Sequence, residues 1–353
     1  MLIVRAANTG DLDALMGLAR EAGSGMTTFK ADRGMLGRRL EIACASFGGS
    51  ASAAEADYVF VLEDLHNGRV AGISAIKGAV GLDEAFYNYR LETVIHSSKE
   101  LKLFTRMQTL HLSNDMTGAT ELCSLFLHPR YRCGANGRLL SKARLLFIAQ
   151  FPELFGERVF AEMRGFQDGA GRSPFYDAVG AHFFKLPFDQ ADDLTACGRK
   201  SFIGELMPRQ PLYAAYLPAA ARAALSAVHP DTAPARRLLE QEGMYFGGLI
   251  DIFDAGPVLE SRLAKLRVMR ESATAPAHLR AAADDDGHAR PDTLLANLER
   301  ARFRALAWHA DQGAGALQLP EPALRALALD PGAGVRSYRI APSATQPLNG
   351  SAS

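Results

Sequence analysis

The chain has 353 residues, 48% hydrophobic and 22% charged, and its Lys+Arg and Asp+Glu totals are both 39, giving a formal net charge of zero. This composition supplies a sizeable core, and the length allows two domains or one domain with large additions. Balanced charge with no long Lys/Arg run argues against nucleic acid or an anionic membrane as the main partner, and no segment approaches the ~20 apolar residues of a membrane span.

In chain order, Met1 to Ala7 reads as a strand without the apolar stretch and cleavage site of a signal peptide, so a cytoplasmic chain is expected. Asn8-Thr9-Gly10-Asp11 then forms a turn and cap for a helix ending near Ala22, and a second helix covers Arg33 to Cys44. Tyr58 to Asp64 and Val70 to Val80 read as strands joined at His66-Asn67-Gly68, with Gly72 and Gly78 marking bulges. Tyr87 to Arg90 and Val94 to Ser98 lie on strands or their ends, and Thr109 to Leu112 is a short strand. Leu122 to Leu127 is a further strand, and Arg138 to Phe151 reads as a long amphipathic helix. Arg158 to Arg164 is a core strand, and Ser173-Pro174 caps a helix. Residues 189–244 read as mainly helical and 249–269 as strand-like, while Thr274 to Arg290 is loop-like. Arg304 to His309 and Val335 to Ile340 are again strand-like. The order predicts an α+β layer architecture with a mixed sheet flanked by helices. The expected division is a core over 1–188, a region completing the site over 189–270, a variable loop over 271–291, a small subdomain over 292–340 and a disordered tail over 341–353. Cys44, Cys123, Cys133 and Cys197 match no metal-ligand spacing, so no metal is expected and the thiols are read as reduced.

The most informative stretch is Leu122-Cys123-Ser124-Leu125-Phe126-Leu127 with the following His128-Pro129-Arg130-Tyr131-Arg132-Cys133-Gly134-Ala135-Asn136-Gly137. A strand that feeds small residues into a helix N-terminus leaves backbone N–H groups unpaired at the positive end of the helix dipole, where a pyrophosphate binds. Acyl-CoA N-acyltransferases use this arrangement. Leu125 and Leu127 would then lie along pantetheine, and Arg132, Gly134, Ala135, Asn136 and Gly137 around the pyrophosphate. An ordinary Gly-rich turn with no ligand is the competing reading of the motif by itself.

Further segments extend the pattern: Tyr87-Asn88-Tyr89-Arg90, His96-Ser97-Ser98, Leu112-Ser113-Asn114-Asp115, Glu121 to Leu127 and Ala161-Glu162-Met163-Arg164-Gly165. They continue with Glu205-Leu206-Met207-Pro208, His229-Pro230 and Ile250-Asp251-Ile252-Phe253-Asp254. In these, from about Leu2 to Arg270, the chain resembles the arginine N-succinyltransferase (arginine/ornithine succinyltransferase) family. The resemblance implies an N-acetyltransferase-like (GNAT) fold and succinyl transfer from succinyl-CoA, a co-substrate and not a resident cofactor, to the α-amine of L-arginine. It also implies His229 as proton donor, Leu125 as a succinyl-CoA contact, and assembly with itself or with a paralogous chain. Ornithine as preferred acceptor and a non-catalytic acyl-CoA-binding subunit are the alternatives. Ala135 stands where the family has Gly, Gly25 to Lys30 departs from the family's Gly-Leu-Thr-Ser-Leu-Pro, and the C-terminal part is Ala-rich and divergent.

A guanidinium substrate calls for carboxylates, and Glu121 and Glu162 are on strands expected to be central. Structural salt bridges are their competing role, as with Asp115. Asn88, Arg90, His96 and Arg164 complete the candidate substrate contacts. Arg90, Asn88, Ser97 and Arg164 are candidates for the succinyl carboxylate, and the sequence does not rank them.

Overall fold

A computed structural model describes residues 1–22, 26–196, 198–280, 291–309, 311–313 and 315–341. The tail expected to be disordered (from 342), residues 281–290 of the expected variable loop, Gly25 and Cys197 lie outside these residues. The first half supplies strands β1 (Leu2–Ala6), β2 (Asp57–Asp64), β3 (Arg69–Lys77), β4 (Asn88–Ser98), β5 (Leu103–Ser113), β6 (Thr120–Leu127) and β7 (Arg158–Glu162). The second supplies β8 (Leu212–Tyr213), β9 (Tyr245–Asp251), β10 (Pro257–Arg262), β11 (Ala273–Leu279), β12 (Thr293–Asn297), β13 (Arg304–Trp308), β14 (Asp311–Gly313), β15 (Ala316–Leu319) and β16 (Gly334–Arg339). They form one mixed sheet in the order β14-β15-β11-β16-β12-β13-β1-β2-β3-β6-β7-β10-β9-β4-β5-β8.

Helices α1 (Leu12–Ala22) and α2 (Arg33–Gly48) cover one face of the sheet centre and α3 (Asn136–Gln150) covers the other. Strand β2 shows why its sequence is a continuous apolar run and not an alternating one. Tyr58, Phe60 and Leu62 join the cluster around α3, while Val59 and Val61 join the cluster around α1 and α2. Local chemistry sets the helix ends. Asn8 and Asp11 form a capping box before α1, the Asp32 side chain accepts from Met35 N at 2.7 Å at the start of α2, and Gly49 ends α2 with φ 88°. Gly72 lets α3 approach β3, since a Cβ there would lie 2.8 Å from Leu140 Cδ2.

Several elements differ from expectation. Helix α3 is buried on every side from Leu139 to Ala149, Lys142 and Arg144 included, because the sheet lies on one side and later helices and strands close over the other. The loop expected from residue 271 begins with β11, paired with β16 and then β15; Pro276, which cannot donate, sits where the pairing passes from one neighbour to the other. Strands β4 and β5 are eleven residues each and paired along their whole length. The C-terminal strands belong to the same sheet, with β13 hydrogen-bonded to β1.

A buried ionic cluster ties these late elements to α3. Glu242 is fully buried between Lys142 of α3, Arg267 (Nη2–Oε1 3.1 Å) and the Tyr338 hydroxyl (2.5 Å to Oε2) of β16. Two cations and a phenol around one carboxylate leave a large uncompensated charge if the acid is removed. We expect Glu242→Ala to lower unfolding stability by about 3–5 kcal/mol in chemical denaturation, with Glu242→Gln in between. A change below about 1 kcal/mol would show that the cluster does not join the halves of the sheet energetically.

Candidate active site

Strands β6 and β7 run parallel but pair at only two positions, Thr120 with Val159 and Glu121 with Phe160. Beyond Glu121 each keeps its other neighbour, β3 for β6 and β10 for β7, so the two diverge. The gap is a cavity of about 270 Å³ lined on one side by residues 121–126 and on the other by Ala161, Glu162, Met163 and Arg164. Met26, Thr27, Thr28 and Asp192 border it, as do Asp231, Thr232, Asp251 and Asp254.

On the β6 wall the ladder is interrupted. Ile73 pairs with Phe126 and Ala75 with Cys123, so Ser74 alone faces both Ser124 and Leu125. Such a bulge leaves one backbone residue out of the ladder. Ser124 takes φ 53°, a conformation that costs a non-glycine residue roughly 1–2 kcal/mol. Its side chain is held in place: Oγ accepts from Arg39 Nη1 at 2.9 Å and donates to Thr28 Oγ1 at 2.9 Å, and Asp57 fixes Arg39 through two further bonds of 2.8 and 3.1 Å. The bulge thus places Leu125, whose position opposite β3 is shared with Ser124, in the cavity wall outside the regular ladder.

At the end of β6 a short turn over Pro129–Tyr131 leads to α3, and Arg132 Nε donates to Leu127 O at 2.9 Å. Gly134 takes the positive φ of 54°, while Ala135 has φ −97° and ψ 0°, which any L-residue adopts. Ala135 therefore fits the turn without strain. It also supplies no side-chain cap to α3; Asn136 N donates to Cys133 O at 3.3 Å, and no capping side chain takes up the first-turn N–H groups of Gly137 and Arg138 among the described residues.

The opposite wall is acidic. Burial first, then the charges of Asp251 and Glu121, hold the Glu162 carboxyl well above the usual carboxylate range. Burial also raises Glu121 and Asp251, and burial with the charge of Asp251 raises Asp254 well above it. Asn88 donates Nδ2 to Glu162 Oε1 at 2.7 Å, and its own Oδ1 is buried without a partner. Asp254 accepts from Gly165 N and Gly256 N at 2.7 and 2.8 Å, and Asp251 Oδ1 accepts from Phe253 N and Asp254 N. These bonds lock the β9–β10 connection so that both acids stay in the cavity wall. Asp57 shows the contrast: burial alone would raise it, but Arg39 and Lys77 hold it below its ordinary value. Among the described residues no group of three or more His, Cys, Asp or Glu has the arrangement to hold a metal ion.

His229 caps the turn Pro230–Thr232 beside the cavity. Its backbone N–H donates to Arg164 O at 2.9 Å, and its Nδ1 accepts from Asp231 N at 3.2 Å. In the neutral ring the proton is therefore on Nε2. Burial, then Arg164, keeps the imidazole below its ordinary value.

The structure thus brings Glu121, Glu162, Arg164, Leu125 and Arg132 to one cavity wall or another, with Asn88 and His229 adjacent. It does not bring Arg90 or His96 there. Arg90 pairs with Asp115 and lines a separate cavity with Arg158 and Glu260, and His96 lies towards the exposed end of β4 against Tyr213. Ser97 is beside it on the same distal part of the strand. Sequence reasoning missed Asp251, Asp254, Asp192, Arg39 and Arg144. Two acids in the apolar run Ile250-Asp251-Ile252-Phe253-Asp254 were the available signal, because a carboxylate inside such a run has to be paired or functional.

The raised carboxylates hold protons more tightly in the folded chain than in the unfolded one. Their contribution to stability is complete below the unfolded carboxylate range and is lost as pH rises through the folded values. We expect the melting temperature of the ligand-free chain to fall between about pH 5 and pH 8 and the Glu162→Gln variant to lose much of that slope. An identical slope in parent and variant would contradict the assignment of Glu162 as an uncompensated acid.

Comparison with known proteins agrees with this geometry. Residues 2–268 match the family described as arginine N-succinyltransferase beta subunit. The chain is 47% identical over 339 residues to the arginine N-succinyltransferase subunit beta of Pseudomonas aeruginosa, covering 96% of this chain and 98% of that one. It is 42% identical to the arginine N-succinyltransferase of an Enterobacter species over 97% and 98% of the two chains. The solved structure of arginine/ornithine succinyltransferase subunit AI from Pseudomonas aeruginosa superposes with a TM-score of 0.87 at 32% identity, covering 97% of this chain and 99% of that one. The mixed sheet flanked by helices is the architecture expected from the sequence, it carries a splayed parallel pair, and the chain belongs to the arginine N-succinyltransferase family of acyltransferases.

Proposed function

We propose that the chain transfers the succinyl group of succinyl-CoA to the α-amine of L-arginine, giving N2-succinyl-L-arginine and CoA, as the entry step of arginine catabolism by succinylation in the cytoplasm. One observation carries this reading: a single cavity joins a bulged strand and Arg132, at the entry to α3, suited to a CoA thioester, to a set of buried carboxylates suited to a cationic amino acid. A guanidinium entering this wall supplies the counter-charge that Glu162, Glu121 and Asp251 lack in the free chain.

In this mechanism pantetheine runs along β6, the pyrophosphate lies at Gly134 to Gly137 with Arg132 beside it, and the thioester carbonyl accepts the backbone N–H at Leu125. The neutral α-amine attacks the carbonyl carbon directly. As the C–N bond forms, the oxyanion takes the hydrogen bond at the bulge. The C–S bond then breaks with the Nε2–H of His229 donating a hydrogen bond to the departing sulfur, and the proton shed by the amine nitrogen after attack ends on that sulfur, so the products are the amide and CoA thiol. A lowered proton affinity keeps His229 neutral, with Nε2–H as the donor that guides this transfer. The relaxed φ at Ala135 leaves the non-catalytic subunit reading without its sequence argument.

The test is thiol release by the purified chain alone with succinyl-CoA and L-arginine. We expect turnover, and a fall of about 10²–10⁴-fold in His229→Ala. Binding of CoA without turnover would reject the proposal, and a variant within about threefold of the parent would remove His229 from the mechanism.

A further inference from the structure

Arg144 is the largest fully buried side chain in the molecule, 1% exposed, and it lines the splay cavity from α3. Among the described residues no carboxylate pairs with it. Its hydrogen bonds go to neutral acceptors at long range: Nε to Ser141 O at 3.2 Å, Nη1 to Cys123 O at 3.2 Å and Ala75 O at 3.5 Å, and Nη2 to Ser141 Oγ at 3.4 Å. Arg267, also buried, differs on this point, for it is paired with Glu242 and Glu271. Burial lowers the proton affinity of Arg144 to a value of about 10, so it stays cationic at neutral pH. A buried cation without an anion is costly, and its five donors are only loosely occupied.

Its position within the cavity is informative. Cys123 O and Ala75 O belong to the residue pair that closes the bulge on the side of Glu121. A guanidinium under Cys123 is two residues along β6 from Leu125, about 7 Å at strand rise. An acyl chain whose thioester carbonyl sits at Leu125 and which runs towards Glu121 would bring a four-carbon dicarboxylic half-ester's far carboxylate to this level.

We propose that Arg144 is the acyl-specificity residue: it binds the terminal carboxylate of the acyl group and selects a dicarboxylic monothioester over a neutral acyl-CoA of equal length. This rests on the succinyl-transfer reading. It separates the anionic end of the donor, held from α3, from the cationic end of the acceptor, held by the β7 and β9 acids. Arg164, whose Nε is buried with no hydrogen-bond partner among the described residues, is the competing anchor; its carbonyl is committed to His229 and its Nη2 contacts Gln167.

The experiment compares kcat/KM for succinyl-CoA and butyryl-CoA, which lacks the carboxylate, in the parent, Arg144→Met, Arg144→Lys and Arg164→Met. The parent is expected to prefer succinyl-CoA. In Arg144→Met that preference should shrink by about 30-fold or more, with Arg144→Lys retaining part of it. Equal losses for both thioesters in Arg144→Met, or loss of preference in Arg164→Met and not in Arg144→Met, would overturn the assignment. If Arg144→Met does not fold, the parent crystallised with succinyl-CoA and no amino acid decides. A terminal carboxylate within about 3.5 Å of the Arg144 guanidinium supports the proposal, and one held elsewhere rejects it. Absence of parental turnover with succinyl-CoA and arginine would strike the succinyl-transfer reading itself.

Discussion

The structure turns on the fact that β6 and β7 share two residue pairs and then part. A parallel pair that stopped pairing would ordinarily expose backbone to no purpose, but here each strand is secured on its outer side, by β3 and by β10. The gap is therefore a fixed feature of the sheet and not a frayed edge. α3 follows β6 through the Pro129–Tyr131 turn, and its Arg144 lines the same gap as the bulge and Arg132. The C-terminal strands lengthen the same sheet on the far side of β1, and the Glu242 cluster anchors them to α3.

Charge is handled in two ways in this interior. Away from the cavity, buried acids are matched: Glu242 has Lys142, Arg267 and Tyr338, and Asp57 has Arg39 and Lys77. Around the cavity Asp192 is likewise matched, by Lys30 and Thr27, but among the described residues Glu162, Glu121, Asp251 and Asp254 form no such ion pair, and all four sit above their ordinary proton affinities. The same rules of desolvation apply to both sets. The difference is that one set is complete within the protein, and in the proposed function the other is completed by a ligand of opposite sign. The strained Ser124 belongs to the second group of features, since its hydroxyl is held by Arg39 and Thr28 in a backbone conformation that serves the bulge.

Much of the sheet centre was legible in the sequence because its signals are local. The β2 apolar run, the Asn8 cap and the strand–turn–helix at Leu122 to Gly137 each carry their own periodicity or capping chemistry. The bulge at Ser124 does not, because it depends on the register against β3. The burial of α3 was misjudged because Lys142 and Arg144 look like a solvent face until the late strands close over them. β11 was read as loop since Ala, Thr and Pro carry little strand signal and only pairing with β16 makes them one. Glu121 and Glu162 were found as carboxylates on central strands. Asp251 and Asp254 escaped since their relation to those acids exists only once β9 lies two strands from β7. Arg90 and His96 were candidates by side-chain type, a cation for the succinyl carboxylate and an imidazole, but the strand carries them away from the cavity.

The central claim is that the unmatched acids await a guanidinium. It is tested most directly by comparing L-arginine with L-citrulline, whose uncharged ureido group has nearly the same shape, as acceptors in succinyl-CoA-dependent thiol release. The account expects kcat/KM for citrulline to be lower by about 30- to 1,000-fold, the cost of leaving buried charges unpaired. Comparable values for the two acceptors would contradict it.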